Sequence, residues 1–138
     1  MSSGGSGYSQ NQLSASSEYP VILSRCSSYD SSEVKTALER FWNLAGGIEK
    51  CIRPSDRVLI KPNLIAPLDA DKSVQTHPAV IVNLAQMIKE AGAKPMVGDS
   101  PAWGDVRACL KALEIDAVLD SMQVPIVPLN KAVRIRID

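Results

Sequence analysis

Aromatic side chains are scarce in this 138-residue chain: two Trp, three Tyr and one Phe make up 4% of it. None interleaves with Lys or Arg as a base-stacking surface would. An excess of one charge is missing too, because fifteen basic and fifteen acidic residues cancel. Without a net field to attract polyanions, nucleic-acid binding is disfavoured, and so is an anionic membrane as partner. No run reaches the roughly eighteen apolar residues of a spanning helix. The N-terminus also lacks the basic-then-apolar order of a secretory signal. Cysteine is sparse: Cys26, Cys51 and Cys109 are odd in number and show no C-x-x-C spacing. That pattern speaks against a zinc ribbon or an iron–sulfur loop, so no metal site is expected within the chain. Free, buried thiols in a reducing cytoplasm are the expectation.

What is present belongs to an ordinary globular protein, with 45% hydrophobic and 22% charged residues. The length suits one domain with a real core. Residues 1–17 hold seven serines and three glycines with scarcely an apolar side chain. Such a stretch cannot offset its own ordering entropy, so residues 1–18 read as a disordered tail and residues 19–138 as the domain.

Within the domain, strand and helix patterns alternate. "PVILSRC" (20–26) reads as a first strand. Asp30-Ser31-Ser32-Glu33 has the form of a capping box, opening a helix with Val34, Ala37, Leu38, Phe41 and Ala45 on one face and Gly46-Gly47 as its stop. Pro54-Ser55-Asp56 turns into a second strand over 57–61. A helix over about 78–91 buries Ile81, Leu84, Ala85 and Ile88, and a strand over 93–100 follows, with Pro95 near its start or on an edge. A helix over about 104–114 buries Val106, Cys109, Leu110 and Leu113. A helical turn or two (116–122) and strands at 124–129 and 132–138 complete the pattern. This alternation predicts an α/β fold, a three-layer sandwich with a mainly parallel sheet. Because the chain ends inside a strand-like segment, it reads as an incomplete, N-terminal part of a larger domain.

In parallel α/β sheets, ligands bind at the loops leaving the carboxyl ends of strands. Three such loops carry polar groups: Lys61-Pro62-Asn63, Thr76-His77-Pro78 and Gly98-Asp99-Ser100-Pro101. Lys61 offers a point charge for a carboxylate or phosphate, and Asn63 a directional amide. Thr76 and the helix start behind it can hold an anion. His77, the one histidine, can exchange a proton near neutral pH, and Asp99 can orient a hydroxyl or act as a base, with Ser100 beside it. Lys61, His77 and Asp99 are thus the catalytic candidates, and Lys61, Asn63, Thr76, His77, Asp99 and Ser100 the ligand-binding set. Each also has a plain structural role: Lys61 pairing with Asp99, Thr76 or His77 capping a helix, Asp99-Ser100 making an Asx-type turn. No Gly-rich phosphate loop or Walker pattern follows Gly98.

"VLIKPNLIAP", "THPAVIVNLAQMIKEAGAKPMVGDSP" and the preceding "GGIEKCIRPSDR" resemble the N-terminal half of the domain-of-unknown-function 362 family, over about residues 20–138. Its K-P-N, T-H-P and G-D-S-P pieces stand here as Lys61-Pro62-Asn63, Thr76-His77-Pro78 and Gly98-Asp99-Ser100-Pro101. Many members look like iron–sulfur proteins with a ferredoxin-type segment fused behind this domain. The resemblance therefore implies 4Fe-4S clusters only for a longer parent, and no cofactor in this chain. Two functions are expected: from the residues, a pocket for a small anionic ligand or substrate at the strand ends; from the resemblance, a scaffold within an iron–sulfur electron-transfer protein whose clusters lie outside this chain. An open sheet edge would also favour self-association.

Overall fold

The computed structural model describes residues 21–131. The N-terminal tail and the strand expected at 132–138 lie outside the described residues. Within them the order is α1 (Ser31–Leu44), β1 (Arg57–Ile60), α2 (Pro78–Glu90), β2 (Lys94–Asp99), α3 (Val106–Ala112), α4 (Asp116–Ser121) and β3 (Ile126–Pro128). Short 3-10 turns occupy Ile48–Lys50 and Ala70–Lys72. The three strands form one sheet in the order β1-β2-β3, and both pairings are parallel.

Local chemistry explains these boundaries. At the head of α1 the Asp30 carboxylate accepts the Ser32 N–H at 2.9 Å, as a cap should. The reciprocal half of the capping box is absent: Glu33 accepts the Ser27 hydroxyl, while the Asp30 N–H donates to Ser28 Oγ. On the predicted face of α1, Val34 is buried and Ala37, Leu38, Phe41 and Ala45 are half-buried. Gly46 and Gly47, at φ of 89° and 104°, end the helix. Pro78 opens α2 at its first turn and Gly92, at φ 79°, follows its end.

The strand expected at 20–26 is corrected: residues 21–26 form no strand. Its apolar run finds no ladder to join, and Val21 and Leu23 remain 77% and 86% exposed. The expectation of buried thiols is corrected in part as well. Cys109 is buried in the core, and that burial raises its pKa. Cys26 and Cys51 are exposed.

The starts of β1 and β2 are stitched together. Ser55 N–H donates to Gly92 O at 2.8 Å, and Lys94 N–H to Asp56 O at 2.7 Å. Register then pairs Val58 with Pro95 and Ile60 with Val97. Pro95 is tolerated there because β3 pairs with β2 only from Val97 onward, which leaves one side of β2 without a partner at the proline among the described residues.

Alternation gives the sheet two faces. Ile60 and Val97 join the core with Ile81, Ala85, Ile88, Cys109, Leu110 and Leu119, and Val58 and Ile126 pack against it. The other face carries Arg57 and Leu59, then Lys94, Met96 and Gly98, then Val127 and Leu129. Gly98 permits a close approach: a Cβ built on it would stand 2.7 Å from Val127 O, with Leu59 and Leu129 side chains at 3.1 and 3.4 Å. No helix among the described residues is long and apolar enough to cross a membrane.

Candidate functional site

β1 ends where Pro62, which is buried and has no N–H, cannot extend the ladder. The chain leaves the sheet there, and Lys61 stands beside the end of β2. Its Nζ lies 2.7 Å from Asp99 Oδ1, the ammonium stem being 59% exposed and the carboxylate 4%. The second oxygen, Asp99 Oδ2, accepts the Leu64 N–H at 2.7 Å. Burial alone would raise the Asp99 pKa. The Lys61 hydrogen bond, the Leu64 and Ser100 N–H groups and the Lys61 charge outweigh it, and the net shift is downward. Asp99 is therefore an ionised anchor that holds the β1 loop against the end of β2.

Further bonds join this loop to its neighbours. Asn63 N–H donates to Thr76 Oγ1 at 3.0 Å, and Thr76 N–H returns a bond to Asn63 O at 3.0 Å. Gln75 Nε2 donates to Leu68 O at 2.7 Å. Trp103 N–H donates to Ile65 O at 3.1 Å, which fixes the loop after β2 to the loop after β1. Lys61, Asn63, Thr76, Asp99 and Ser100 thus share one hydrogen-bonded rim. Thr76 is not the helix cap; its hydroxyl is used across the rim, and His77 takes the cap position.

His77 is engaged differently. Its Nδ1 accepts the Ala79 N–H at 3.2 Å, so in the neutral ring the proton sits on Nε2. The ring stacks on Tyr29 with centroids 3.9 Å apart and planes 12° from parallel. Burial lowers its pKa. Among the described residues no hydrogen bond or ion pair joins His77 to Lys61 or Asp99. The Ala79 N–H that could have met an anion at the start of α2 is taken by the imidazole, and Pro78 has none to give.

A cleft of about 50 Å³ opens at the ends of β2 and β3, lined by Asp99, Ser100, Gly104, Asp105, Pro128 and Asn130 among others. Lys61, Asn63, Thr76 and His77 stand outside it. Larger hollows of about 350 and 270 Å³ lie along α1, away from the rim. Among the described residues no group of three or more His, Cys, Asp or Glu side chains is placed to hold a metal ion. Two features near the strand-end loops escaped sequence reasoning. Tyr29 carried no signal among its serines, and Trp103 stood just past the G-D-S-P piece without a partner in the pattern.

Comparison with known proteins follows the same residues. The Thylakoid-associated protein sll1697 of Synechocystis sp. is 36% identical over 107 residues, which cover 78% of this chain and 33% of that protein. The chain spans about a third of the length of that curated relative. No solved structure matches it. Residues 58–138, which include all three strand-end loops, match the family described as Domain of unknown function (DUF362). The chain belongs to this family.

Proposed function

We propose that the rim formed by Lys61, Asn63, Thr76, Asp99 and Ser100 binds a small anionic ligand or substrate at the carboxyl ends of β1 and β2. One observation carries the reading: residues far apart in sequence are tied into one rim where adjacent parallel strands end. Lys61 has three N–H donors, and a mostly exposed ammonium that gives one to Asp99 keeps others for an incoming oxyanion. His77, next to Thr76, is the group that would exchange a proton with such a ligand. Thermal unfolding with inorganic phosphate, citrate and nucleotides tests this. A ligand at a hundred times its dissociation constant adds about 2.7 kcal/mol, and Lys61→Ala removes that gain. An unmoved melting temperature with every anion overturns the reading.

The relative's greater length favours a second reading. We infer that the domain is the N-terminal part of a larger three-layer sandwich, serving as scaffold in a cytoplasmic iron–sulfur electron-transfer protein whose clusters lie outside this chain. Apolar Leu59, Met96, Val127 and Leu129 on the outward sheet face support it, since parallel sheets are normally covered on both faces. Without that cover, the face and the edges of β1 and β3, which pair with no further strand among the described residues, would favour self-association. Anaerobic purification of a full-length parent decides: bound iron and visible absorbance support the scaffold, and a colourless, iron-free protein removes it.

A further inference from the structure

Trp103 is 67% exposed, although a tryptophan is normally buried over most of its surface. Its backbone is nevertheless held firmly. The N–H donates to Ile65 O at 3.1 Å. The next residue, Gly104, sits at φ 75° so close to Pro67 that a Cβ would stand 3.0 Å from the proline ring. Trp103 lies in the loop between Pro101 and Gly104, both of which line the cleft beside Asp99. An exposed indole on a loop whose backbone is held at both Trp103 and Gly104 presents a flat surface next to residues that line the cleft. The residue it bonds, Ile65, is four positions from Lys61, so with the step across the hydrogen bond the backbone at Trp103 and Lys61 is separated by no more than roughly 19 Å.

We propose that Trp103 is the stacking platform for a flat ring carried by the anionic ligand, so that the rim takes a phosphorylated ligand of nucleotide chemistry: the charged group at Lys61 and the ring on the indole. This rests on the anion-binding reading above and names the ligand class for the same rim. Aromatic faces hold a base through its π surface with little demand on its identity. Asp105, whose second carboxylate oxygen is not used in capping α3, and Asn130 at the cleft supply acceptors for the amino and hydroxyl groups of such a ligand.

The second tryptophan can be removed cleanly. Trp42 is half-buried and its buried Nε1 has no hydrogen-bond partner among the described residues, so Trp42→Phe gives up no bond seen there and leaves Trp103 as the sole tryptophan reporter. In that background, adenosine 5′-monophosphate, ribose 5-phosphate and inorganic phosphate are titrated against Trp103 emission. Calorimetry on the unmodified chain gives the affinities independently. The expected result is saturable quenching by the nucleotide alone, with an affinity about tenfold above that of ribose 5-phosphate. Trp103→Ala closes that gap, while Lys61→Ala weakens both ligands alike. Equal affinity for nucleotide and sugar phosphate, with emission unchanged, overturns the platform and leaves the anion site standing. Failure of all three to bind overturns both. A blue shift with phosphatidylglycerol vesicles and no response to nucleotide assigns the indole to a membrane surface and also overturns the proposal.

Discussion

Along β2, side chains alternate between two unlike surroundings. Val97 is fully buried and Asp99 nearly so, on the face that packs against the helices. Met96 and Gly98 look the other way, toward Leu59 and Leu129, which are 45% and 37% exposed. At the start of that outer face Arg57 and Lys94 stand opposite each other in register, two like charges side by side. The inner face thus holds the fold together, and at its far end, through Asp99, it also positions the rim. The outer face has apolar character without a comparable role in the described part of the molecule. Stability and site geometry are concentrated on one side of a three-stranded sheet.

Neighbouring residues of β1 give the strongest way to break this contrast. Ile60→Ala, on the inner face, should cost about 2–4 kcal/mol in chemical denaturation, whereas Leu59→Ala should stay under about 1 kcal/mol. Equal losses would mean that the outer face is packed as well. Asp99→Ala comes next, at about 1–3 kcal/mol, because it strands the buried Leu64 N–H, while the exposed Lys61 ammonium returns to water. The same residue gives a pH signature. Its folded pKa lies below its unfolded one, so its contribution is complete above about pH 5 and is lost as pH falls through the folded value. Acid titration of unfolding free energy should show that loss in the parent and not in the variant.

A smaller effect sharpens the contrast at the helix covering the inner face. His77→Ala removes the cap of α2 and should cost about 1 kcal/mol. Burial holds the His77 pKa below its usual 6.5. The unfolded chain therefore takes the proton first, and stability declines as pH drops below about 6.5. That decline should vanish in His77→Ala, while His77→Asn should restore the cap without the pH dependence. Last, Leu59→Lys should change unfolding by no more than about 0.5 kcal/mol. If it also dissolves a concentration-dependent oligomer seen by light scattering, the outer face is where copies meet.

Much of this arrangement was legible in the chain. The apolar runs of β1 and β2 are each stopped by residues that cannot continue a ladder or that prefer turns, and so the loops carrying Lys61, Asn63 and Asp99 could be placed. The helix stripe of Ile81, Leu84, Ala85 and Ile88, of which Leu84 is only half-buried, and the buried set of α3 follow from period alone. Other features were not legible, for identifiable reasons. The run Val21-Ile22-Leu23 has the composition of a strand, but a strand exists only where a neighbour accepts its hydrogen bonds. The role of Asp99 depends on a backbone N–H at Leu64, and backbone donors leave no mark on residue identity. Thr76 and His77 are adjacent possible caps, and only the fold decides that the hydroxyl serves Asn63 while the imidazole serves the helix. The Tyr29–His77 stack joins residues whose pairing no periodicity encodes.

Gly98 ties two dimensions of the molecule together. β3 can lie where it does only because residue 98 has no side chain to meet Val127 O. The mouth beside Asp99 has Pro128 and Asn130 as its opposite wall, and both travel with β3. A single methyl at Gly98 would therefore act as a wedge one residue below the opening, parting the strands and enlarging the cavity at once. Room for a ligand and cohesion of the sheet are not separately adjustable here; they are set by the same missing atom.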